Sequence, residues 1–430
     1  MQKGSSVLVR PAKGLRGSVR LPGDKSISHR YAMLGAIAEG ETRLENYSAG
    51  ADCASTLHCL RGLGGQWERH GGSVVIQGRG PQLQAPSAPL DCGNSGSTIR
   101  MLSGILAGQE FGTELFGDES LSRRPMARIM APLESMGARI RANEGGRPPL
   151  RIEGGGLHGI HYKMPVASAQ VKSCLLFAGL YAQGETRVEE PVRTRDHGEI
   201  ALRAFGAEVG SSGGVACIRG GQRLRGISVE IPGDISSAAF FLCAAALFSG
   251  SQLLISGLLM NPTRVRLLDV MILMGLEISV SQLEQRHGEL AGTVHAGGHG
   301  LKGGRIGGAD AAALIDEIPV LAAVAPYSDL GLEISDAREL RVKESDRIAA
   351  VAANLRAMGA QVEEREDGLK IPGQQKLHGG ELDSFGDHRI AMAFAVAALR
   401  AEGETTIRGA DAAVISYPTF FEDLEKLVER

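Results

Sequence analysis

Leu21-Pro-Gly-Asp-Lys-Ser-Ile-Ser-His-Arg30-Tyr-Ala-Met-Leu-Gly-Ala-Ile-Ala-Glu-Gly40 joins a polar head to an apolar run. Asp24, Ser26 and Ser28 are N-cap residue types and Gly40 is a helix terminator, so the stretch predicts a helix that opens on Lys25, Ser26, His29 and Arg30. Such an opening gathers free backbone N–H groups, the positive end of the helix dipole and side-chain cations in one place, which is an anion site in outline. A single head of this kind is common on helices that bind nothing. Here the design recurs.

Polar-headed helices are expected near Lys25, Asn94, Ser168, Ser236, Asp316 and His388, each followed by an apolar, Ala-rich run. After each run comes a short strand signal: Gly40-Glu-Thr-Arg-Leu, Gly112-Thr-Glu-Leu, Gly184-Glu-Thr-Arg-Val, Gly250-Ser-Gln-Leu-Leu, Gly331-Leu-Glu-Ile and Gly403-Glu-Thr-Thr-Ile. A second helix follows, commonly ending in a Gly pair or in Met-Gly-Ala, and a β pair closes the unit. The period of about 70 residues exceeds that of solenoid repeats and suits one α/β unit. The sixth unit runs out of sequence before its closing strands, while Val7-Leu-Val-Arg10 is a strand with no unit of its own. Leu21-Pro-Gly-Asp24 and Ile231-Pro-Gly-Asp234 are matching joints. The expectation is an α/β protein of two similar domains with three repeat units each. One spans residues 21–232. The other spans 1–20 and 233–430, its N-terminal strand completing the last unit.

Composition narrows the function classes. A net charge of −3 argues against a protein that coats a polyanion. Aromatics are only 4% and the basic residues gather at helix starts, which is unlike a single-strand nucleic-acid track with stacking platforms. Six Cys lie scattered, mostly in apolar runs and without metal spacing, as reduced thiols in a cytoplasmic protein do. Residues 1–20 hold no apolar core of a signal peptide, and the longest apolar run, Ala238–Phe248, is too short to span a bilayer. No nucleic acid, membrane, metal or organic cofactor is expected.

The heads differ in chemistry. Lys25, Ser26 and Arg30 offer two cations and a hydroxyl to a phosphate or carboxylate, against the plainer reading of a capped surface helix. Gly93-Asn94-Ser95-Gly96 lets backbone approach a ligand, or is a Gly-rich turn capped by Asn94. Arg124 precedes Pro125 at a helix start, where the dipole adds to its charge. Ser168 and Gln170 are neutral donors, Lys172 is either a ligand group or a surface residue, and Arg195 adds another anion contact. Asp234 heads a helix without a cation and reads as a joint. Asp316 and Glu317 place carboxylates in a cleft that would otherwise be cationic, which makes a general base available. Lys343, Glu344 and Arg347 are read as one face of a second helix. Arg389 repeats the cation at a helix start, with His388 beside it as a catalyst or an orienting group.

The motifs Pro22-Gly-Asp-Lys-Ser26…Arg30, Gly93-Asn-Ser-Gly96, Arg124-Pro125, Ser168-Ala-Gln170, Asp316, Arg341-Val-Lys-Glu-Ser-Asp-Arg347 and Asp387-His-Arg389, in this order and spacing, resemble the 3-phosphoshikimate 1-carboxyvinyltransferase (EPSP synthase) family over essentially the whole chain. The resemblance implies the inverse α/β barrel domains of enolpyruvyl transferases, with a ligand cleft between them. It implies transfer of the enolpyruvyl group of phosphoenolpyruvate to the 5-hydroxyl of shikimate 3-phosphate, with no cofactor, in a monomer. By the same resemblance Asp316, Glu344 and Lys25 are catalytic. Lys25, Ser26, Arg30, Ser168, Ala169, Gln170, Arg195, Asp316 and Lys343 hold shikimate 3-phosphate. Lys25, Asn94, Gly96, Arg124, Gln170, Arg347, His388 and Arg389 hold phosphoenolpyruvate.

The chain departs from the family pattern at Ala413-Val-Ile-Ser-Tyr-Pro418, where many members carry a Lys. Ser168-Ala-Gln170 with Arg195-Asp-His197 is similar to a subgroup that includes glyphosate-tolerant members, yet Gly96 stands where tolerant members often have Ala, so sensitivity to glyphosate is expected. A UDP-N-acetylglucosamine enolpyruvyltransferase would carry a loop Cys before Arg-Pro, and Asp118–Pro125 has none. A non-catalytic anion binder would have no use for Asp316 and Glu344 among the cations.

Overall fold

The computed structural model describes residues 5–430. Helices start at or within a few residues of each head, over Lys25–Ile37, Gly96–Ala107, Ala169–Gly179, Ile235–Ala246, Ile318–Val324 and His388–Ala398. Local capping fixes most of these starts. Asp24 accepts from the Ile27 N–H at 2.9 Å, Ser95 from Thr98 at 3.1 Å, Ser168 from Val171 at 3.3 Å, Asp234 from Ser236 at 2.8 Å and Asp387 from Arg389 at 2.9 Å. Each such bond satisfies an N–H that the helix itself leaves open and contributes about 1 kcal/mol. The Ile318–Val324 helix has no side-chain cap. Glu317 holds the cap position, but Ser236 Oγ and Arg264 Nη2 (3.1 Å) take its carboxylate.

Three local expectations need correction. The first helix stops at Ile37, with Ala38 already extended, and Gly40 lies inside the strand Glu39–Glu45 at φ +89°. Asn94 is not a cap, because Ser95 does that work while the Asn94 amide bonds Asp118 and Arg124. Lys343 and Glu344 are not helical. A 3₁₀ turn covers Arg338–Val342, Lys343 is extended, and the next helix, Arg347–Ala357, begins only after its cap Asp346. The cap ends the reach of the helix toward Lys343, so the charged trio shares a loop and a helix start rather than a helix face.

Behind the heads the helices are buried all round. Every residue of Ile235–Ala246 and of His388–Ala398 is buried, as is Ile27–Ile37 of the first helix. A helix enclosed on all sides needs small residues where neighbours come close, hence the Ala-rich runs. Where Gly96–Ala107 meets Ala169–Gly179 a Cβ on Gly104 would collide with the Cys174 carbonyl, so only glycine fits.

Among the described residues six small sheets accompany the six head helices and share one plan. The strand after each head helix pairs in parallel with a strand that precedes a head and, in the first five repeats, antiparallel with a strand that follows the second helix. In residues 23–231 the central strands are Glu39–Glu45, Gly112–Phe116 and Glu185–Glu189. Their parallel partners are Ser228–Glu230, Leu90–Asp91 and His161–Lys163, so the strand that ends the third repeat returns to the sheet of the first. In the remainder the central strands are Gln252–Leu259, Leu332–Ile334 and Thr405–Arg408. Their parallel partners are Gly14–Arg20, Gly304–Ile306 and Glu381–Asp383. Ser6–Val9 runs antiparallel to Thr405–Arg408, the part that Gly368–Ile371 plays in the fifth repeat. The architecture is therefore mixed α/β built from separate short sheets, and among the described residues no sheet closes into a barrel.

The described chain divides into two compact units, one made of Gly23–Ile231 with Gln285–Glu289, the other of the residues up to Pro22 with Pro232–Glu284 and Leu290–Arg430. Among the described residues no helix is long and apolar enough to cross a membrane, and no His/Cys/Asp/Glu group has the makings of a metal site.

Candidate active site

In the unit holding Gly23–Ile231 the three heads are stitched together by their own side chains. Lys25 Nζ lies 2.9 Å from Asp52 Oδ2 in the first turn of the Ala51–Gly62 helix. Arg30 spans two heads: Nη1 donates to the Ser26 carbonyl at 2.8 Å, while Nε and Nη2 donate to Ser173 Oγ at 3.1 and 2.9 Å and Nη2 to the Ala169 carbonyl at 3.3 Å. Gln170 ties the third head to the second, accepting from Arg100 Nη1 at 2.8 Å and donating to Ser97 Oγ at 2.9 Å. Arg124, buried, donates to Asn94 Oδ1 at 2.8 Å and to Ser120 Oγ at 3.1 Å. Gly96 opens its helix between these guanidiniums: a Cβ there would stand 3.1 Å from Arg100 Nη1 and 3.3 Å from Arg124 Nη1. A further chain links the heads from beneath, His29 Nδ1 to Thr56 Oγ1, Thr56 Oγ1 to Thr98 Oγ1, both at 2.7 Å, and Thr98 Oγ1 to Ser95 Oγ at 2.8 Å.

The cluster brings cations and acids together at the helix starts. Lys25 pairs with Asp52, the Asn94 amide stands between Arg124 and Asp118, and Arg30 feels Asp24, Glu199 and Glu289 as well as Arg195. Burial pushes the Arg30 guanidinium down to about 10, Arg195 adds to this, and Asp24 and Glu199 oppose it. Arg30 stays charged at neutral pH, its depression arising from burial first and not from any lack of nearby acids. His29, pressed by burial and by Lys25 and Arg30, is held well below the ordinary histidine range and is neutral.

The other unit carries a different arrangement, with acids and cations interleaved. Asp316 Oδ1 lies 3.9 Å from Lys343 Nζ and 3.6 Å from Arg347 Nη1, and Oδ2 lies 3.9 Å from Arg389 Nη2. Arg389 Nη1 also donates to the Asp316 carbonyl at 2.7 Å. Arg347 is held by Asp387 through Nε and by Glu344 through Nη2 at 2.6 Å. Ser345 Oγ donates to Asp387 Oδ2 at 3.1 Å. His388 is buried at the first position of its helix and bears on the Asp387 charge. Burial holds the Lys343 ammonium below the ordinary lysine range, with Arg347 adding to the effect and Asp316 and Glu344 opposing it. An ammonium so placed yields its proton more readily than a free lysine.

Residues 9–424 match the family model described as EPSP synthase (3-phosphoshikimate 1-carboxyvinyltransferase). The chain belongs to the EPSP synthase family. It is similar to the 3-phosphoshikimate 1-carboxyvinyltransferase of Koribacter versatilis (strain Ellin345), at 59% identity over 426 residues covering 99% of this chain and 100% of the relative. The enzyme of that name from Solibacter usitatus (strain Ellin6076) is 58% identical over 422 residues, 98% of this chain and 99% of the relative. Among solved structures, an EPSP synthase from Acinetobacter baumannii superposes with a TM-score of 0.87 at 42% identity, covering 98% of each chain.

Of the residues expected at the site of an EPSP synthase, Lys25, Ser26, Arg30, Asn94, Gly96, Arg124, Ser168, Ala169, Gln170 and Arg195 belong to one unit, and Asp316, Lys343, Glu344, Arg347, His388 and Arg389 to the other. Ser168 is committed to its helix cap, and Ala169 contributes its carbonyl to Arg30. Lys172 is neither a ligand group nor a surface residue, since it is buried against Glu190 and Glu199. Arg100 and Asp387 belong to the clusters, and so does Asp52, which sequence reasoning did not single out. Lys25 and Asp52 stand 27 positions apart, and no local spacing signals such a pair. Near the Lys-free stretch, Ala410–Ile415 is a 3₁₀ turn with Val414 exposed.

Proposed function

We propose that the chain transfers the enolpyruvyl group of phosphoenolpyruvate to the 5-hydroxyl of shikimate 3-phosphate, giving 5-enolpyruvylshikimate 3-phosphate and phosphate, in the biosynthesis of chorismate and the aromatic amino acids. Family membership supports the reaction, and the observation that carries the residue roles is Asp316, a carboxylate set among Lys343, Arg347 and Arg389. Both substrates are small polyanions, each with about three negative charges near neutrality. A cluster of cations at helix starts suits their binding, and interleaved acids and bases suit proton transfer.

The chemistry needs an acid and a base that exchange roles. Asp316 takes the proton of the 5-hydroxyl as its oxygen bonds to C2 of phosphoenolpyruvate. The vinyl methylene carbon takes a proton from Lys25 or Glu344, and a tetrahedral intermediate results. The new methyl group then returns a proton, the C2–O bond to phosphate breaks, and the double bond re-forms. Lys25, Ser26, Arg30, Ser168, Ala169, Gln170, Arg195, Asp316 and Lys343 hold shikimate 3-phosphate. Lys25, Asn94, Gly96, Arg124, Gln170, Arg347, His388 and Arg389 hold phosphoenolpyruvate. The enzyme acts as a cytoplasmic monomer without a cofactor, and glyphosate inhibits it.

The test is phosphate release from phosphoenolpyruvate by purified protein, with shikimate 3-phosphate, with UDP-N-acetylglucosamine, and with neither. Release only with shikimate 3-phosphate is expected. Release only with the sugar nucleotide would overturn the acceptor and leave the donor in place.

A further inference from the structure

Lys172 sits one turn into the Ala169–Gly179 helix, behind Ser168 and Gln170, with 1% of its side chain exposed. Its ammonium lies 2.9 Å from Glu190 Oε2 and 2.7 Å from Glu199 Oε1, and both carboxylates are buried too. The two acids occupy particular places. Glu190 directly follows the strand Glu185–Glu189, and Glu199 is in the first turn of the helix His197–Ala204. They are the two ends of the connection that carries Arg195. Glu190 grips this connection a second time, accepting from the Thr194 N–H at 3.2 Å and from the Thr194 hydroxyl.

Ion pairs this deep are costly to desolvate and seldom add stability over an apolar replacement, so their use lies in fixing geometry. Here one cation holds two carboxylates, and the surplus negative charge is felt by Arg30, which also feels Arg195. The connection is thus shut at both ends by a buried clasp next to the cations of the heads.

We propose that Lys172 is a positioning residue for Arg195: by gripping Glu190 and Glu199 together it sets the span of the intervening connection, and with it the place from which Arg195 meets the acceptor substrate. The inference rests on Arg195 being a shikimate 3-phosphate contact.

Steady-state kinetics of Lys172→Met, Arg195→Ala and the double variant test it. Arg195→Ala raises KM for shikimate 3-phosphate by about tenfold or more, and Lys172→Met raises it by about tenfold with KM for phosphoenolpyruvate within about twofold. In the Arg195→Ala background Lys172→Met adds less than about twofold, because its effect passes through a side chain already gone. Equal factors in both backgrounds would overturn the clasp while leaving the Arg195 contact intact. An Arg195→Ala enzyme with unchanged KM would remove the contact itself, and the clasp with it. If Lys172→Met does not fold, Thr194→Val, which deletes one bond to Glu190, is carried through the same cycle. It is expected to raise KM for shikimate 3-phosphate about twofold to threefold, an effect absent beside Arg195→Ala.

Discussion

Arg347 meets Asp387 side-on, with Nε 2.8 Å from Oδ2 and Nη2 3.3 Å from Oδ1, and both side chains are closed off from solvent. Burial works against the ionised carboxylate, yet Arg347 holds Asp387 below the usual carboxylate range. Taking away one partner leaves a buried charge uncompensated, at a cost of about 3–5 kcal/mol. Asp387→Ala is therefore expected to lower the unfolding free energy in urea by that order and to raise KM for phosphoenolpyruvate as Arg347 loses its tether. A loss below about 1 kcal/mol would show that the pair is not a stabilising anchor.

Asp316→Ala separates binding from chemistry. Loss of a general base costs about 10²–10⁴ in kcat. Because Lys25, Ser26 and Arg30 belong to the other unit, calorimetric affinity for shikimate 3-phosphate should change far less than turnover. A parallel loss of both would mark Asp316 as a binding residue alone.

Gly96 is the next position to probe. A methyl group there would stand within 3.1–3.3 Å of Arg100 and Arg124. Glyphosate should inhibit the wild type. Gly96→Ala should raise the glyphosate inhibition constant by more than about tenfold while KM for phosphoenolpyruvate rises less, since a pocket discriminates against added bulk by a few kcal/mol at most. Wild-type activity that persists at millimolar glyphosate, unchanged by the substitution, would refute this.

His29 gives the protein an acid-sensitive element. Its folded pKa is depressed, so the unfolded chain binds a proton that the folded chain refuses. The stabilisation is whole above the ordinary histidine value of 6.5 and is lost as pH falls from there toward the folded pKa. Across that window the slope approaches about 1.4 kcal/mol per pH unit. Urea unfolding at pH 7.5 and 5.5 should show a steeper acid loss for the wild type than for His29→Asn, which has no proton to gain.

The heads were legible because capping is local: Asp24, Ser168 and Asp387 announce a helix within three residues of sequence. The strand signals were legible for the same reason, through a Gly-led run after each apolar stretch that reads Gly-Glu-Thr in three of the six repeats. Partnership across the fold was not. Charge spacing alone placed Lys343 and Glu344 on a helix, whereas the cap at Asp346 interrupts it. Lys172 looked like any lysine on a polar head, and only its burial against two acids from a later strand end and helix gives it a role. Asp52 carries no motif at all. The roles of the remaining site residues came from resemblance rather than from spacing.

The strand pairings also set an order of assembly. Arg10 and Glu404, bonded at 3.0 Å beside the Ser6–Val9 pairing, are 394 positions apart. On a ribosome Ser6–Val9 therefore emerges unpaired and must wait for Thr405–Arg408 to be translated. Meanwhile Gly23–Ile231 already contains every strand of its three sheets. Gly23–Ile231 can become native while Ser6–Val9 still lacks its partner strand, and an unpaired strand is where a nascent-chain chaperone has the most to shield.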